Sequence, residues 1–193
     1  MINIITALQQ ATAGQIETGF QWYSIARAWC MRIGYKYNIN PRTVAYMIAV
    51  MSPRNRWEWN LQDVINILHA VKTGINPMTV TCHSFNKNKI KTIKLARGEP
   101  YTITGQKVSA FIDNIINPAS DRITVDVWAY RVWIGDYTAP PKIINPKLYA
   151  LIEADYKQVA KMYSLKGYEL QAIVWSVARD TGKPFNLEIP ESI

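Results

Sequence analysis

The sequence predicts an all-α protein. Two observations carry this: apolar residues recur at three- and four-residue spacing along most of the chain, and Pro, Gly and Asn fall between those stretches where they start or stop helices. No internal repeat or low-complexity tract interrupts the pattern.

Residues 20 to 34 carry apolar Phe20, Tyr23, Ile25, Ala28, Trp29 and Ile33, and Gly34 then reads as a glycine stop. Asn40 and Pro41 supply an N-cap and a first-turn proline for a second helix, TVAYMIAVMS. That helix is apolar nearly all round, which assigns it to the core, and Pro53 ends it. Residues 58 to 72 put Leu61, Val64, Ile65, Leu68 and Val71 on one stripe ahead of Gly74. From 84 to 97, Ile90 and Ile93 are expected inside and Lys87, Lys91 and Lys94 outside, with Gly98 and Pro100 closing the helix. Residues 106 to 116 align Val108, Phe111, Ile112 and Ile115. After NPASDR, Ile123-Thr124-Val125 reads as extended, and Asp126 is set to cap the helix behind it. Pro140, Pro141 and Pro146 mark 136 to 147 as connector, and two further helices are expected at about 147 to 164 and 167 to 181.

A length of 193 residues suffices for one domain or two small lobes sharing a core. Apolar residues make up 49% and charged residues 19%, a globular rather than a disordered balance. A net charge of +8 favours a polyanionic partner, nucleic acid before an anionic membrane surface. Two cysteines, Cys30 and Cys82, exclude a four-cysteine zinc site or an iron–sulfur cluster within one chain. With only His69 and His83 to add, both read as structural or surface residues, neither a metal nor a cofactor is implied. The N-terminus lacks the basic region and apolar run of a signal peptide. No stretch approaches the roughly 20 apolar residues of a membrane-spanning helix. The expectation is a soluble, monomeric protein of a reducing compartment, the cytoplasm.

The chemistry is sought around Thr104-Gly105-Gln106-Lys107-Val108 and around Asp126. A tight turn at Thr104 and Gly105 opening a helix presents free N–H groups suited to a phosphate oxygen. Lys107 then falls in the first helical turn, where the helix dipole and burial against Phe111 would disfavour its protonated form and favour a nucleophilic amine. Asp126, held ionised by backbone N–H groups, could stabilise an oxocarbenium-like sugar. Taken singly, such a lysine is a solvated charge and such an aspartate a cap.

Together, G-x-K-V at a helix start followed some 18 residues later by Val125-Asp126-Val127-Trp128-Ala129-Tyr130-Arg131-Val132 resembles the helix-hairpin-helix DNA glycosylase superfamily of the endonuclease III type. Met47-Ile48-Ala49-Val50-Met51-Ser52-Pro53-Arg54-Asn55 looks like that family's segment whose end fills the gap left by an extruded base, with Arg54 at the filling position. Lys89-Ile90-Lys91-Thr92-Ile93 resembles the helix ahead of its hairpin. The resemblance spans about residues 41 to 135. It implies a two-lobed fold, with 41–119 carrying the hairpin and 1–40 plus 120–193 forming the second lobe.

By motif position the resemblance makes Lys107 the Schiff-base nucleophile and Asp126 the catalytic carboxylate, with Arg131 as the arginine of the aspartate helix. It implies contact with double-stranded DNA through Arg54, Asn55, Thr104, Gly105, Gln106, Lys89 and Lys91, and a pocket for a flipped base at Ser52, Trp57, Asn60 and Trp128. Trp59, Tyr130 and Trp133 join the aromatic residues near that pocket, and Lys87, Lys94 and Arg97 extend the basic set. The implied activity is base excision by a glycosylase, with or without an abasic-site lyase step. Here one hairpin glycine stands where the family has two, and Trp128 replaces its histidine. Such drift resembles the phage-encoded branch of the fold, which includes enzymes of pyrimidine hypermodification. The alternatives are therefore a transferase or pyrophosphorylase-like enzyme that leaves the glycosidic bond intact, and a non-catalytic DNA-binding module.

Overall fold

Helices dominate the computed structural model, which describes residues 1–102 and 105–179. In chain order these are α1 (Ile2–Gln9), α2 (Ala13–Tyr37), α3 (Pro41–Met51), α4 (Trp57–Thr73), α5 (Asn86–Ala96), α6 (Gln106–Ile116), α7 (Val127–Ile134), α8 (Pro146–Met162) and α9 (Gly167–Ala178), with a 3₁₀ turn at Pro77–Thr79. No strand occurs among the described residues. The chain is all-α.

The chain divides into two units whose boundaries fall inside α2 and α6. One holds Met1–Ile25 and the described chain from Ser109 onward; the other holds Ala26–Val108. In the first, α1, α7, α8 and α9 pack on one another. Their core includes Ile4, Val132, Ile152, Tyr156, Leu170 and Val174. In the second, α3 packs against α4 and α5. Met47, Ile48, Met51, Leu61, Ile67 and Leu68 are all but fully buried there, each removed from water for about 2 kcal/mol.

Several elements start where their residues say they should. The Asn40 side chain accepts from Arg42 N with Pro41 in the first turn, and Asn145 caps α8 in the same way ahead of Pro146. Gly74 takes the left-handed conformation (φ 76°) that ends α4.

Other expectations are corrected. Gly34 does not stop α2, which runs on to Tyr37 and turns at Asn38 (φ 53°). The glycine serves packing instead: a Cβ there would lie 2.7 Å from the Ile39 carbonyl oxygen and 3.1 Å from Pro41 Cγ. It is the chain's return into α3, rather than a backbone reversal, that needs the missing side chain. Helix α1 and the first turns of α2 lie ahead of the first helix that the sequence predicts. On α5 the inward face is rotated: Lys89 is 6% exposed whereas Ile90 is 43% exposed.

The expected extended run Ile123-Thr124-Val125 is a buried irregular segment whose backbone bonds to side chains rather than to a neighbouring strand. Gln171 accepts from Thr124 N at 3.0 Å and donates to Thr124 O at 2.8 Å. Tyr149 Oη donates to Ile123 O at 2.6 Å and accepts from Val125 N at 3.3 Å. Glu153 accepts from Ile123 N at 3.2 Å. Buried backbone groups must find partners, and here α8 and α9 supply them. The segment is thereby held rigid up to Asp126.

Candidate functional site

In the unit containing Ser109 onward, Asp126 is the N-cap of α7. Its Oδ1 accepts from Trp128 N at 2.9 Å and Ala129 N at 2.8 Å, and the helix dipole adds to its stabilisation as an anion. The carboxylate is half-buried. Three phenols feel its charge. Burial pushes Tyr23 and Tyr149 up to about 12 and Tyr156 well above its ordinary value, and the Asp126 charge adds to each shift. The tyrosines therefore stay neutral beside the carboxylate. Tyr23 Oη lies 3.4 Å from Thr124 Oγ1, which also accepts from Asn114 Nδ2 at 3.2 Å, while Ser120 Oγ donates to Asn114 Oδ1 at 2.6 Å.

The neighbours carried over with Asp126 have other engagements. Arg131 Nε donates to the Ala139 carbonyl at 2.8 Å, and its guanidinium lies 4.6 Å from the centre of the Trp128 ring. Trp128 thus already bears a cation on its face. Trp133 donates from its indole nitrogen to Asp155 at 2.7 Å.

In the Ala26–Val108 unit, a second arrangement gathers at the α3–α4 turn. Asn55 N donates to Ser52 O at 3.1 Å, closing a turn across Pro53 and Arg54. Arg54 sits there at φ 57°, a left-handed conformation unfavourable to a side chain with a Cβ, and Arg54 and Arg56 are both exposed. Beneath the turn, Asn60 is 1% exposed. Its Nδ2 donates to Ile48 O at 3.0 Å and Ser52 Oγ at 2.9 Å. Among the described residues, Asn55 Oδ1 and Asn60 Oδ1 are buried acceptors without a hydrogen-bond partner.

One turn further along α4 lies Asp63, with no exposed surface. Its carboxylate accepts from Asn55 Nδ2 at 3.1 Å, from His83 N at 3.0 Å and from His83 Nδ1 at 3.0 Å. Because a carboxylate only accepts, the imidazole proton sits on Nδ1. The ring stacks on Trp59 at 4.6 Å between centres and 17° between planes, and the Arg56 guanidinium lies 4.6 Å from the Trp59 centre.

Of the expected contact residues, Ser52, Asn55 and Asn60 are thus brought together around the Arg54 turn. Trp57 opens α4 beside them, half-buried. Lys89 is a correction: it is buried, and its ammonium donates to the carbonyls of Met78 and Val80. An amine tied to two carbonyls inside the fold is not placed to meet a phosphate. Lys91 remains partly exposed with its ammonium over Tyr101, and Lys87, Lys94 and Arg97 are exposed.

Gly105, Gln106 and Lys107 are exposed at the start of α6. The burial of Lys107 against Phe111 is not formed. Phe111 instead meets Trp22 at 5.8 Å and Tyr23 at 6.2 Å, so its ring is already covered. Thr104 lies outside the described residues. Lys107 belongs to one unit and Asp126 to the other.

The signal for Asp63 and His83 was missed because neither sits in a capping or motif position. A mid-helix aspartate and a loop histidine 20 residues later carry no spacing rule. Cys30 and Cys82 are both free thiols. Burial pushes Cys30 up to about 12 and Cys82 up to about 11, the Asp63 charge adding to the latter, so both are protonated at neutral pH and poor nucleophiles. Among the described residues no cluster of His, Cys, Asp and Glu could hold a metal ion, and no helix is long and apolar enough to cross a membrane.

With this geometry in hand, one comparison decides the family. The model of DUF7178, a family of unknown function, matches residues 1–182. The chain belongs to DUF7178. No curated protein and no solved structure matches this DUF7178 chain.

Proposed function

We propose that this DUF7178 protein is a DNA base glycosylase that acts on a nucleotide turned out of the duplex and cleaves its N-glycosidic bond. The observation that carries the reading is Asp126: a half-buried carboxylate fixed by two backbone N–H groups, at the end of a segment clamped by Tyr149, Gln171 and Glu153. As the C1′–N bond breaks, its electron pair leaves with the base and positive charge grows on the sugar. A carboxylate that needs no reorganisation stabilises that charge. The neutral phenols around it leave the field negative without adding a competing proton acceptor. Water adding to C1′ and losing a proton completes hydrolysis. In the lyase alternative that the resemblance implies, an amine rather than water attacks C1′, the base leaves, and the resulting imine is resolved by β-elimination. The surplus of positive charge and the exposed Arg54 and Arg56 support a DNA partner.

The test incubates the protein with duplexes carrying a panel of modified bases and reads alkali-labile abasic sites. Loss of cleavage in Asp126→Asn by about 100-fold or more is expected. Equal rates in wild type and Asp126→Asn would remove the assignment. Borohydride trapping with Lys107→Gln as the control decides the lyase step. Mass spectrometry of the nucleosides separates release of free base from an altered nucleoside, the outcome that a hypermodification enzyme predicts.

A further inference from the structure

Outside the carboxylate assigned to the reaction, the most developed surface feature is the Arg56–Trp59–His83 stack in the Ala26–Val108 unit. Both rings keep a large share of their surface in solvent, 42% for Trp59 and 44% for the His83 side chain. The pair is also built to stay in place. Asp63, without any exposed surface, holds both His83 N and Nδ1, and through Asn55 it holds the turn that carries Arg54 and leads to Arg56. A carboxylate buried at the expense of its hydration, used to orient an exposed ring, makes a rigid platform. On the turn that Asn55 closes, Arg54 is kept in a strained left-handed conformation with its side chain in solvent.

We infer that the Trp59–His83 stack, with Arg56 over Trp59 and Arg54 on the adjoining turn, is a seat for an unpaired nucleobase in a single-stranded segment of nucleic acid, with the base on the exposed His83 ring that Trp59 backs and its phosphate on the guanidinium groups. Flat, rigid, half-exposed rings stack on any base because every base has a π-face, and neighbouring arginines neutralise the backbone. A chain of net charge +8 draws such a polyanion to it. This inference shares with the proposed function the premise of a nucleic-acid partner and the exposed Arg54 and Arg56, and it uses neither Lys107 nor Asp126.

The test measures fluorescence anisotropy of a labelled 12-nucleotide oligodeoxythymidylate, against an abasic deoxyribose-phosphate oligomer of the same length and charge, at fixed salt. The wild type is expected to bind the base-bearing strand more tightly. Trp59→Ala and His83→Ala are each expected to weaken that binding by about 5- to 100-fold and to leave the abasic probe unchanged, and Trp59→Phe is expected to restore it in large part. Equal binding of the two probes by wild type, or unchanged oligodeoxythymidylate binding in variants that melt like wild type, overturns the inference. Should His83→Ala unfold, the contrast between Trp59→Ala and Trp59→Phe gives the same decision. Base-dependent binding without any Asp126-dependent cleavage would leave this seat standing and remove the glycosylase.

Discussion

Asp126 and Asp63 each hold a carboxylate on N–H donors, one in each unit, and by different means. Asp126 stands at the mouth of a helix, half in solvent, with its donors supplied by the next turn of its own backbone. Asp63 stands in the middle of a helix, wholly buried, with donors brought from a turn eight residues back and a loop 20 residues ahead. The first arrangement is local, so substituting the residue changes the charge more than the fold. The second ties distant segments, so the same substitution is expected to change the fold more than any chemistry. Position, rather than residue type, separates a carboxylate that caps a helix start from one that ties distant segments together.

The sharpest way to break this contrast is Asp63→Ala. It leaves the Asn55 and His83 donors without their shared acceptor, and the expected loss is about 3 kcal/mol in urea unfolding. A loss below about 1 kcal/mol would mean that the cluster does not hold the turn. The counterpart is Asp126→Asn, expected to lose cleavage about 100-fold while stability moves by less than about 0.5 kcal/mol, because Asn caps a helix as well as Asp does. A variant that loses both together would make Asp126 a structural residue like Asp63.

Alkaline pH sharpens the comparison through other buried groups. In the Ala26–Val108 unit the Cys30 and Cys82 thiols are held up to about 12 and about 11 against an ordinary 9.0. In the other unit the Tyr23 and Tyr149 phenols are held up to about 12 against 10.0. In each case the unfolded chain releases its proton first, so stability is complete below the ordinary value and falls as pH rises beyond it. Urea midpoints measured from pH 8 to 11 should therefore decline from about pH 9 onward and more steeply above about pH 10. Cys30→Ala should remove part of the first decline and Tyr149→Phe part of the second. A flat profile across this range would contradict both.

The smallest effect is expected at the turn. Arg54→Gly relieves a left-handed backbone and should raise stability by about 1 kcal/mol, read by thermal melting, while weakening binding of the single-stranded probe. A destabilised Arg54→Gly would show that the arginine has a structural role that its exposed position does not suggest.

Much of the fold was legible along the chain. Asn40 with Pro41, Asn145 with Pro146, and Gly74 announce their helix ends because capping is satisfied within a few residues. Asp126 was legible for the same reason. Lys89 was not: on a helical wheel it belongs to a basic face, and only the carbonyls of Met78 and Val80, delivered by a separate turn, draw it inside. Gly34 misled because a glycine in sequence looks the same whether it reverses the backbone or makes room for a neighbour.

By itself the sequence determined what depends on near neighbours: helical periodicity, caps, the all-α class, the surplus of positive charge, and a carboxylate at the start of α7. Tertiary structure alone decided which face of α5 turns inward, how Ile123–Val125 satisfies its backbone from Tyr149, Gln171 and Glu153, and that Asp63 would tie Asn55 to His83 and so hold the His83 ring against Trp59. The division follows from range. Backbone hydrogen bonds within a helix close over four residues, whereas buried polar groups take whichever partner the folded chain brings within about 3 Å, however distant in sequence.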